Sequence, residues 1–148
     1  MCYHTLCNNA NGGKTLMAEK KTVFLTGASG HMGWAGFKEL YSKKDKLNIV
    51  LLLRDSEKNR KKFANYLNDP SVKIVWGDLK KYDDVLKCVE GSDYVLHVGG
   101  MVSPSADYYP TKTIQTNTTA AKNIVDAVKA QPNKDDIKVV YIGTVAQT

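Results

Sequence analysis

Three glycines at intervals of three residues constrain this chain more than any other feature. Gly27, Gly30 and Gly33 follow an apolar run over residues 22–26 and stand where helical periodicity begins. In such a strand-turn-helix unit the first glycine permits a tight turn, the second lets backbone N–H groups approach an anion, and the third lets the helix pack closely on the sheet. Glycines also make such turns in domains that bind no ligand, but a place in the first strand-helix unit favours a dinucleotide pyrophosphate at the helix start. The residues that we predict to contact it are Gly27, Ser29, Gly30, His31, Met32 and Gly33.

Five short apolar runs alternate along the chain with stretches of helical periodicity. The runs lack strict alternation of apolar and polar residues, as expected for strands buried on both faces of a parallel sheet, and they cover residues 22–26, 48–53, 72–76, 94–97 and 139–142. Parallel strands require crossover helices, which are almost always right-handed. We therefore predict an α/β fold, a doubly wound parallel sheet of about five strands in the order 3-2-1-4-5, with the ligand site above the first and fourth strands.

Residues 1–20 differ from the rest of the chain because they are polar and rich in Asn and Gly, without the apolar core of a signal peptide. We expect a disordered leader over 1–20 and one domain over 21–148, with Met17 as a candidate natural start. The three cysteines form no even framework, and two of them, Cys2 and Cys7, lie in this leader with His4. We expect no disulfide, because the cysteines form no even framework, and no metal, because a disordered leader makes a poor metal site. This use of cysteine favours a cytoplasmic location.

Charge and hydropathy argue against two classes of protein. The longest apolar runs have strand length, short of the roughly 18 residues that a membrane-spanning helix needs, so we expect no membrane segment. The net charge of +6 comes from 21 basic and 15 acidic residues, which are scattered except over 54–62. Because no nucleic-acid motif accompanies this charge, we expect solvated helix faces and no nucleic-acid partner.

The end of the second strand bears on which dinucleotide would bind. Arg54 and Asp55 stand there, with further basic residues behind them at Lys58, Arg60 and Lys61. A carboxylate at this place accepts hydrogen bonds from the ribose 2′-OH of NAD, whereas a guanidinium pairs with the 2′-phosphate of NADP. The basic cluster favours NADP(H). The alternatives are that Asp55 takes the ribose of NAD or that the cluster is a solvated first helical turn.

The third and fourth strands also end in residues suited to a dinucleotide. Asp78 and Leu79 follow the third strand, near the expected place of the adenine ring. Val98, Gly99 and Gly100 follow the fourth strand, where small residues let a ligand pass close to the backbone. We interpret His97, which ends that strand, as structural because the sequence offers it no partner.

In combination, five segments of the chain resemble the extended short-chain dehydrogenase/reductase family. They are residues 26–33, 77–79, 94–100, Asn117 and 139–144. This family includes nucleotide-sugar epimerases and dehydratases and dihydroflavonol-reductase-like enzymes. The resemblance runs from about residue 21 to the end and implies a Rossmann domain. It implies hydride transfer between a nicotinamide and a carbonyl or hydroxyl carbon. It also implies roles for four residues, with Thr144 and Asn117 in the catalytic set and Arg54 and Lys61 on the 2′-phosphate of NADP.

One family motif has no match at the expected place. The family's tyrosine, with a lysine four residues later, supplies the proton and follows the Ser/Thr strand. Tyr108 and Lys112 have this spacing but precede Asn117, and Pro110 between them breaks the helix that the pair would need. In addition, Gly143-Thr144 replaces the family's usual pair of serines.

We therefore expect the N-terminal, cofactor-binding portion of an oxidoreductase that favours NADP, inactive by itself and acting on a small carbonyl or hydroxyl substrate. A nucleotide-sugar epimerase or dehydratase with tightly held NAD is one alternative. A non-catalytic NADP sensor is another. A homodimer is possible for a full-length protein.

Overall fold

The computed structural model describes the backbone of residues 4–8 and 14–18, and residues 20–101 and 105–143 with their side chains. The strands are β1 (His4–Asn8), β2 (Lys14–Ala18), β3 (Lys21–Thr26), β4 (Leu47–Leu53), β5 (Val72–Trp76), β6 (Tyr94–His97) and β7 (Lys138–Tyr141). The helices are α1 (His31–Tyr41), α2 (Glu57–Phe63), α3 (Tyr82–Val89), α4 (Ser105–Tyr108) and α5 (Pro110–Lys129), with single 3-10 turns at Ala64–Tyr66 and Lys134–Asp136.

Five of these strands form one parallel sheet in the order β5-β4-β3-β6-β7. Counted from β3, this is the order 3-2-1-4-5, so the predicted α/β fold is confirmed. The predicted strand limits agree with the structure within one residue. The order reverses between β3 and β6, which places the carboxyl ends of these two strands at the switch point where ligands bind in such sheets.

Both faces of the sheet are covered, which explains why its strands show no alternation. On β4, Val50 and Leu52 pack toward α3 and α5, while Ile49, Leu51 and Leu53 pack toward α1 and α2. All five side chains are buried. A strand between two helical layers needs apolar residues at every position.

An aromatic cluster holds α2 against α1. The cluster comprises Trp34, Phe37, Tyr41, Phe63 and Tyr66, and neighbouring ring centroids lie 4.9 to 6.4 Å apart in tilted or edge-to-face arrangements. Such ring pairs contribute beyond the apolar area they bury. The position of α2, which carries several of the basic residues noted above, is therefore fixed by packing.

The leader differs from the expectation of disorder over residues 1–20. The described residues of this segment form an antiparallel pair, with His4 opposite Ala18 and Asn8 opposite Lys14. Both strands contain threonine and leucine, and the segment between them is rich in Asn and Gly. This pattern is typical of a hairpin, and the composition of the segment as a whole concealed it.

The β7 edge of the sheet is much more open than its centre. All four residues of β7 are exposed, whereas Val23, Phe24, Leu25 and Thr26 of β3 are buried. A groove of about 730 Å³ runs along α5 beside Tyr141. In the part of the chain that the structure describes, no helix has the length and apolar character to cross a bilayer.

Candidate functional site

The glycine turn brings three segments of backbone into close contact. Gly27 has φ of 73°, a conformation that favours glycine, and a Cβ there would lie 2.7 Å from Cα of Gly99. A Cβ on Gly33 would overlap the carbonyl group of Gly27 and lie 2.9 Å from the amide nitrogen of Ala28. The turn itself is closed by a 3.0 Å hydrogen bond from the Gly30 amide to the Gly27 carbonyl. Glycines 27 and 33 thus let helix and strand ends approach as a dinucleotide turn requires.

Helix α1 begins at this turn with its first N–H groups directed out of the helix. Gly30 occupies the cap position and no described side chain caps it, so the amides of the first turn, which includes His31 and Met32, are available to an anion. Met32 is exposed, and the Ser29 carbonyl accepts a 3.0 Å hydrogen bond from Lys62 Nζ.

The Thr26 hydroxyl joins the end of β3 to the end of β6. Its oxygen accepts hydrogen bonds from the amides of Val98 (3.1 Å) and Gly99 (2.9 Å) and lies 2.8 Å from His97 Nδ1. Because the hydroxyl has one proton, it donates that proton to Nδ1, and the neutral imidazole carries its own proton on Nε2. Burial lowers the pKa of His97, which is consistent with the neutral ring and with the structural interpretation of this histidine.

Asn117 holds the loop that continues from β6. Its Oδ1 accepts from the Met101 amide at 2.8 Å, and its Nδ2 donates to the Met101 carbonyl at 3.1 Å. Gly100 lies beside the same side chain. In this structure Asn117 therefore contacts backbone, as a positioning residue would. Thr144, the other residue predicted for catalysis, lies outside the described residues.

Asn123 provides a similar contact that the sequence analysis missed. Its Nδ2 donates to the carbonyl of Leu79 at 2.8 Å and ties α5 to the loop after β5. In that loop the Asp78 carboxylate accepts from the Lys80 amide at 2.9 Å, and the Asp78 amide donates to Asp84 at 3.0 Å. An asparagine within a helix gives no sequence signal for such a contact, because its partner is a distant carbonyl.

The ends of β4 and β5 border a cavity of about 480 Å³, lined by residues that include Arg54, Asp55, Trp76, Asp78, Lys81 and Asp84. Arg60 of α2 contacts two of these lining residues. The guanidinium binds Asp55 through two hydrogen bonds of 2.6 and 2.8 Å and lies 4.8 Å from the ring centre of Trp76. The hydrogen bond from Arg60 lowers the pKa of Asp55. The structure thus brings Arg54, Asp55 and Asp78 together around one cavity, and Arg60 binds one of them, Asp55, from α2.

Lys61 lies elsewhere on α2. Its ammonium pairs with Glu57 at 2.6 Å, both side chains are well exposed, and neither lines the cavity. The neighbouring Lys62 instead reaches the glycine turn, where it contacts the Ser29 carbonyl and lies 4.4 Å from the ring centre of Trp34. The basic cluster was visible in the sequence, but only the packing of α2 decides which cation faces the turn.

Tyr108 and Lys112 fall on two different helices. Tyr108 ends α4, whereas Pro110 is the first residue of α5, a position where the missing N–H of proline costs nothing. Tyr108 is exposed.

A family model supplies the decisive comparison. Residues 23–148 match the model of the NAD dependent epimerase/dehydratase family. The chain belongs to this family. The NAD-dependent epimerase/dehydratase model covers the glycine turn, the β4 and β5 ends and α5, and the resemblance inferred from the sequence is confirmed.

Individual relatives agree with this membership. The chain is 32% identical over 128 residues to a UDP-glucose 4-epimerase from Rickettsia bellii, a match covering 84% of this chain and 36% of that protein. Pen from Bacillus thuringiensis superposes with a TM-score of 0.70 at 25% identity, covering 83% of this chain and 37% of that structure. The Bordetella bronchiseptica enzyme WbmH, solved in complex with NAD+, has a TM-score of 0.62 at 22% identity, over 83% of this chain and 38% of that one, and shows the shared fold.

The chain therefore spans little more than a third of the length of these relatives. The portion of the family fold that the chain does span supports binding of a nicotinamide cofactor. The fit rests on the backbone cradle, because Gly27 and Gly33 let the ends of β3, β6 and α1 approach more closely than any side chain would allow, and the start of α1 offers its N–H groups.

Proposed function

We propose that this chain is the cofactor-binding portion of an enzyme that uses NADP(H) to epimerise or dehydrate a nucleotide sugar. The family and the similarity to UDP-glucose 4-epimerases support the reaction class and the substrate class. The single observation that carries the cofactor site is the uncapped start of α1 at the glycine turn, where the close approach of Gly33 to Gly27 brings free helix N–H groups beside the end of β3.

Each end of the site has a separate role in this proposal. The α1 amides hold the pyrophosphate, and the cavity at the ends of β4 and β5 takes the adenosine. Thr26 and Asn117 hold the loop after β6, which would border the remainder of the cofactor. A bound nicotinamide would supply hydride transfer at a carbon that bears oxygen. By the family resemblance, Thr144 would donate a hydrogen bond to that oxygen.

The preference for NADP rests on charge. No hydrogen bond or ion pair joins the Arg54 guanidinium to another residue in the ranges described, so it is available for a 2′-phosphate. The Asp55 carboxylate, which would accept the ribose hydroxyls of NAD, already has both oxygens bound by Arg60. A carboxylate paired in this way repels a phosphate less than a bare one.

Calorimetric titration of the purified 148-residue chain with NADPH and NADH tests the proposal. We expect both to bind, with NADPH at least about tenfold tighter, because one charge-assisted phosphate contact contributes about 1.5–3 kcal/mol. Arg54→Gln should remove most of that difference. Lys129→Gln, which removes one charge from the far end of α5, should leave it unchanged. Equal affinities in the parent chain would refute the preference, and no binding of either at millimolar concentration would refute the site.

We also propose that the chain binds cofactor without turnover. Tyr108 and Lys112 are the only residues of the sequence with the Tyr-x-x-x-Lys spacing, and they lie on separate helices. UDP-glucose incubated with the chain and either cofactor should remain unchanged when the products are separated by chromatography. Formation of UDP-galactose by the purified chain would contradict this part of the proposal.

A further inference from the structure

We infer that Arg60 determines cofactor choice as a positioning residue, by holding the Asp55 carboxylate so that it neither accepts ribose hydroxyls nor repels a 2′-phosphate. The inference rests on the proposed dinucleotide site and extends it to a residue of α2. No feature of β4 predicts this role, because Arg60 lies seven residues beyond the end of that strand.

The guanidinium of Arg60 is fixed from two sides. It forms one hydrogen bond to each of the two oxygens of Asp55, and its carbon lies 4.8 Å from the ring centre of Trp76. A planar guanidinium can donate to both oxygens and lie beside the ring at once, whereas an ammonium has no such fork of donors. Asp55 follows β4, Trp76 ends β5, and both line the cavity, so Arg60 contacts two of its lining residues.

The loop that carries the pair is itself held in place. Ser56 caps α2 by accepting from the Asn59 amide at 3.2 Å, and Asn59 Nδ2 donates to the Arg54 carbonyl at 2.8 Å. Asn59 is buried. These contacts fix the turn from β4 into α2, so that Asp55 and Arg60 face each other.

Charge decides the consequence for a ligand. Three carboxylates and two cations line the cavity, namely Asp55, Asp78 and Asp84 against Arg54 and Lys81. Without Arg60, the bare Asp55 would stand beside Arg54 and compete with a phosphate for it. With Arg60 in place, the charge of Asp55 is offset by a paired cation and the Arg54 guanidinium remains for the anion.

Lys43 provides a control in an ion pair of the same kind. It is a basic residue that pairs with Glu39, as Arg60 pairs with Asp55, but it lies beyond the C-terminal end of α1 and does not line the cavity. Replacing it changes the net charge of the chain as much as replacing Arg60 does. A general effect of charge would therefore affect both variants equally.

The experiment is a double-mutant cycle with two probes, 2′,5′-ADP and 5′-AMP, which differ by the 2′-phosphate alone. Calorimetry gives Kd for both probes with the parent chain, Asp55→Asn, Arg60→Ala and the double variant. The measured quantity is the selectivity, defined as Kd of 5′-AMP divided by Kd of 2′,5′-ADP. Far-UV circular dichroism checks the fold of each variant.

We expect Arg60→Ala to lower the selectivity about tenfold and Asp55→Asn to change it by less than about threefold, since the carboxylate is already neutralised. The double variant should recover most of the lost selectivity, because the unpaired carboxylate is gone. Arg60→Lys should fall between the parent and Arg60→Ala. Lys43→Ala should stay within about twofold of the parent.

Two results would overturn the inference. If Arg60→Ala leaves the selectivity unchanged, Arg60 has no part in cofactor choice. If the double variant is as unselective as Arg60→Ala, Arg60 acts directly on the phosphate and not through Asp55. The preference for NADP is judged separately, from the selectivity of the parent chain, and a parent value of one or below refutes that preference whatever the cycle shows.

Discussion

Two alanine substitutions in α1 test the glycine cradle, because the same chemical change should have opposite effects at Gly33 and Gly36. A methyl group on Gly33 would overlap the Gly27 carbonyl, a backbone group that cannot rotate away, whereas a methyl group on Gly36 meets no heavy atom within 4 Å. To accommodate Gly33→Ala, α1 must move away from the turn by about 1 Å, which costs about 1–3 kcal/mol in packing. Loosening the hydrogen bond from Gly30 to Gly27 adds about 1 kcal/mol.

The helical preference of alanine over glycine, about 0.5–1 kcal/mol, offsets part of this cost at Gly33 and acts alone at Gly36. We therefore expect Gly33→Ala to lower the free energy of unfolding by about 2 kcal/mol and Gly36→Ala to raise it by about 0.5–1 kcal/mol. Urea unfolding followed by tryptophan fluorescence gives both values. If both midpoints move in the same direction, or if Gly33→Ala has no effect, the close contact is not what requires glycine at that position.

Two further predictions concern contacts away from the turn. The pKa of Asp69 is lowered from 3.8 to about 2, mainly by the hydrogen bond from Tyr41, so the stabilisation that this carboxylate provides is present above pH 3.8 and is lost as the pH falls toward 2. Over that pH range the urea midpoint of Asp69→Asn should therefore fall less steeply than that of the parent chain. Equal slopes would contradict this prediction. Asn117→Ala should lower the free energy of unfolding by about 1–2 kcal/mol and weaken NADPH binding, because it leaves both backbone groups of Met101 without their partner. Unchanged affinity in calorimetry would show that this loop does not contact the cofactor.

The sheet could be predicted from the sequence because its signals are local. The glycine spacing identifies the first strand-helix unit, and five consecutive apolar residues over 49–53 of β4 indicate a strand with both faces covered. The described pairing of β1 with β2 was missed for a related reason. Its short strands lie in a segment whose average composition is polar, and the pairing of His4 with Ala18 becomes visible only when the two strands are compared with each other.

Apolar periodicity in the sequence predicts only the C-terminal half of α5, where Ile124 and Val128 are buried. The helix itself extends back to Pro110. Its first half carries threonine, asparagine and glutamine, and Ile114 is exposed there. An exposed polar stretch has no hydrophobic period, so its helical state depends on propagation from the buried half and on proline at the first position.

The two ends of the candidate site differ in what determines them. At the turn, the backbone determines the shape: Gly33 is required by its contact with Gly27 in the same strand-helix unit, and Gly27 by its positive φ and its approach to Gly99. The spacing of the two glycines is visible in the sequence. At the adenosine end, side chains from three elements determine the charge, since Asp55 follows β4, Arg60 lies on α2 and Trp76 ends β5. The residue at the strand end, taken alone, therefore gives the wrong charge for the adenosine end of the site. In our proposal, an unpaired Asp55 would favour NAD and a paired Asp55 would tolerate NADP. The choice between the two cofactors then depends on whether α2 presents a guanidinium to that carboxylate.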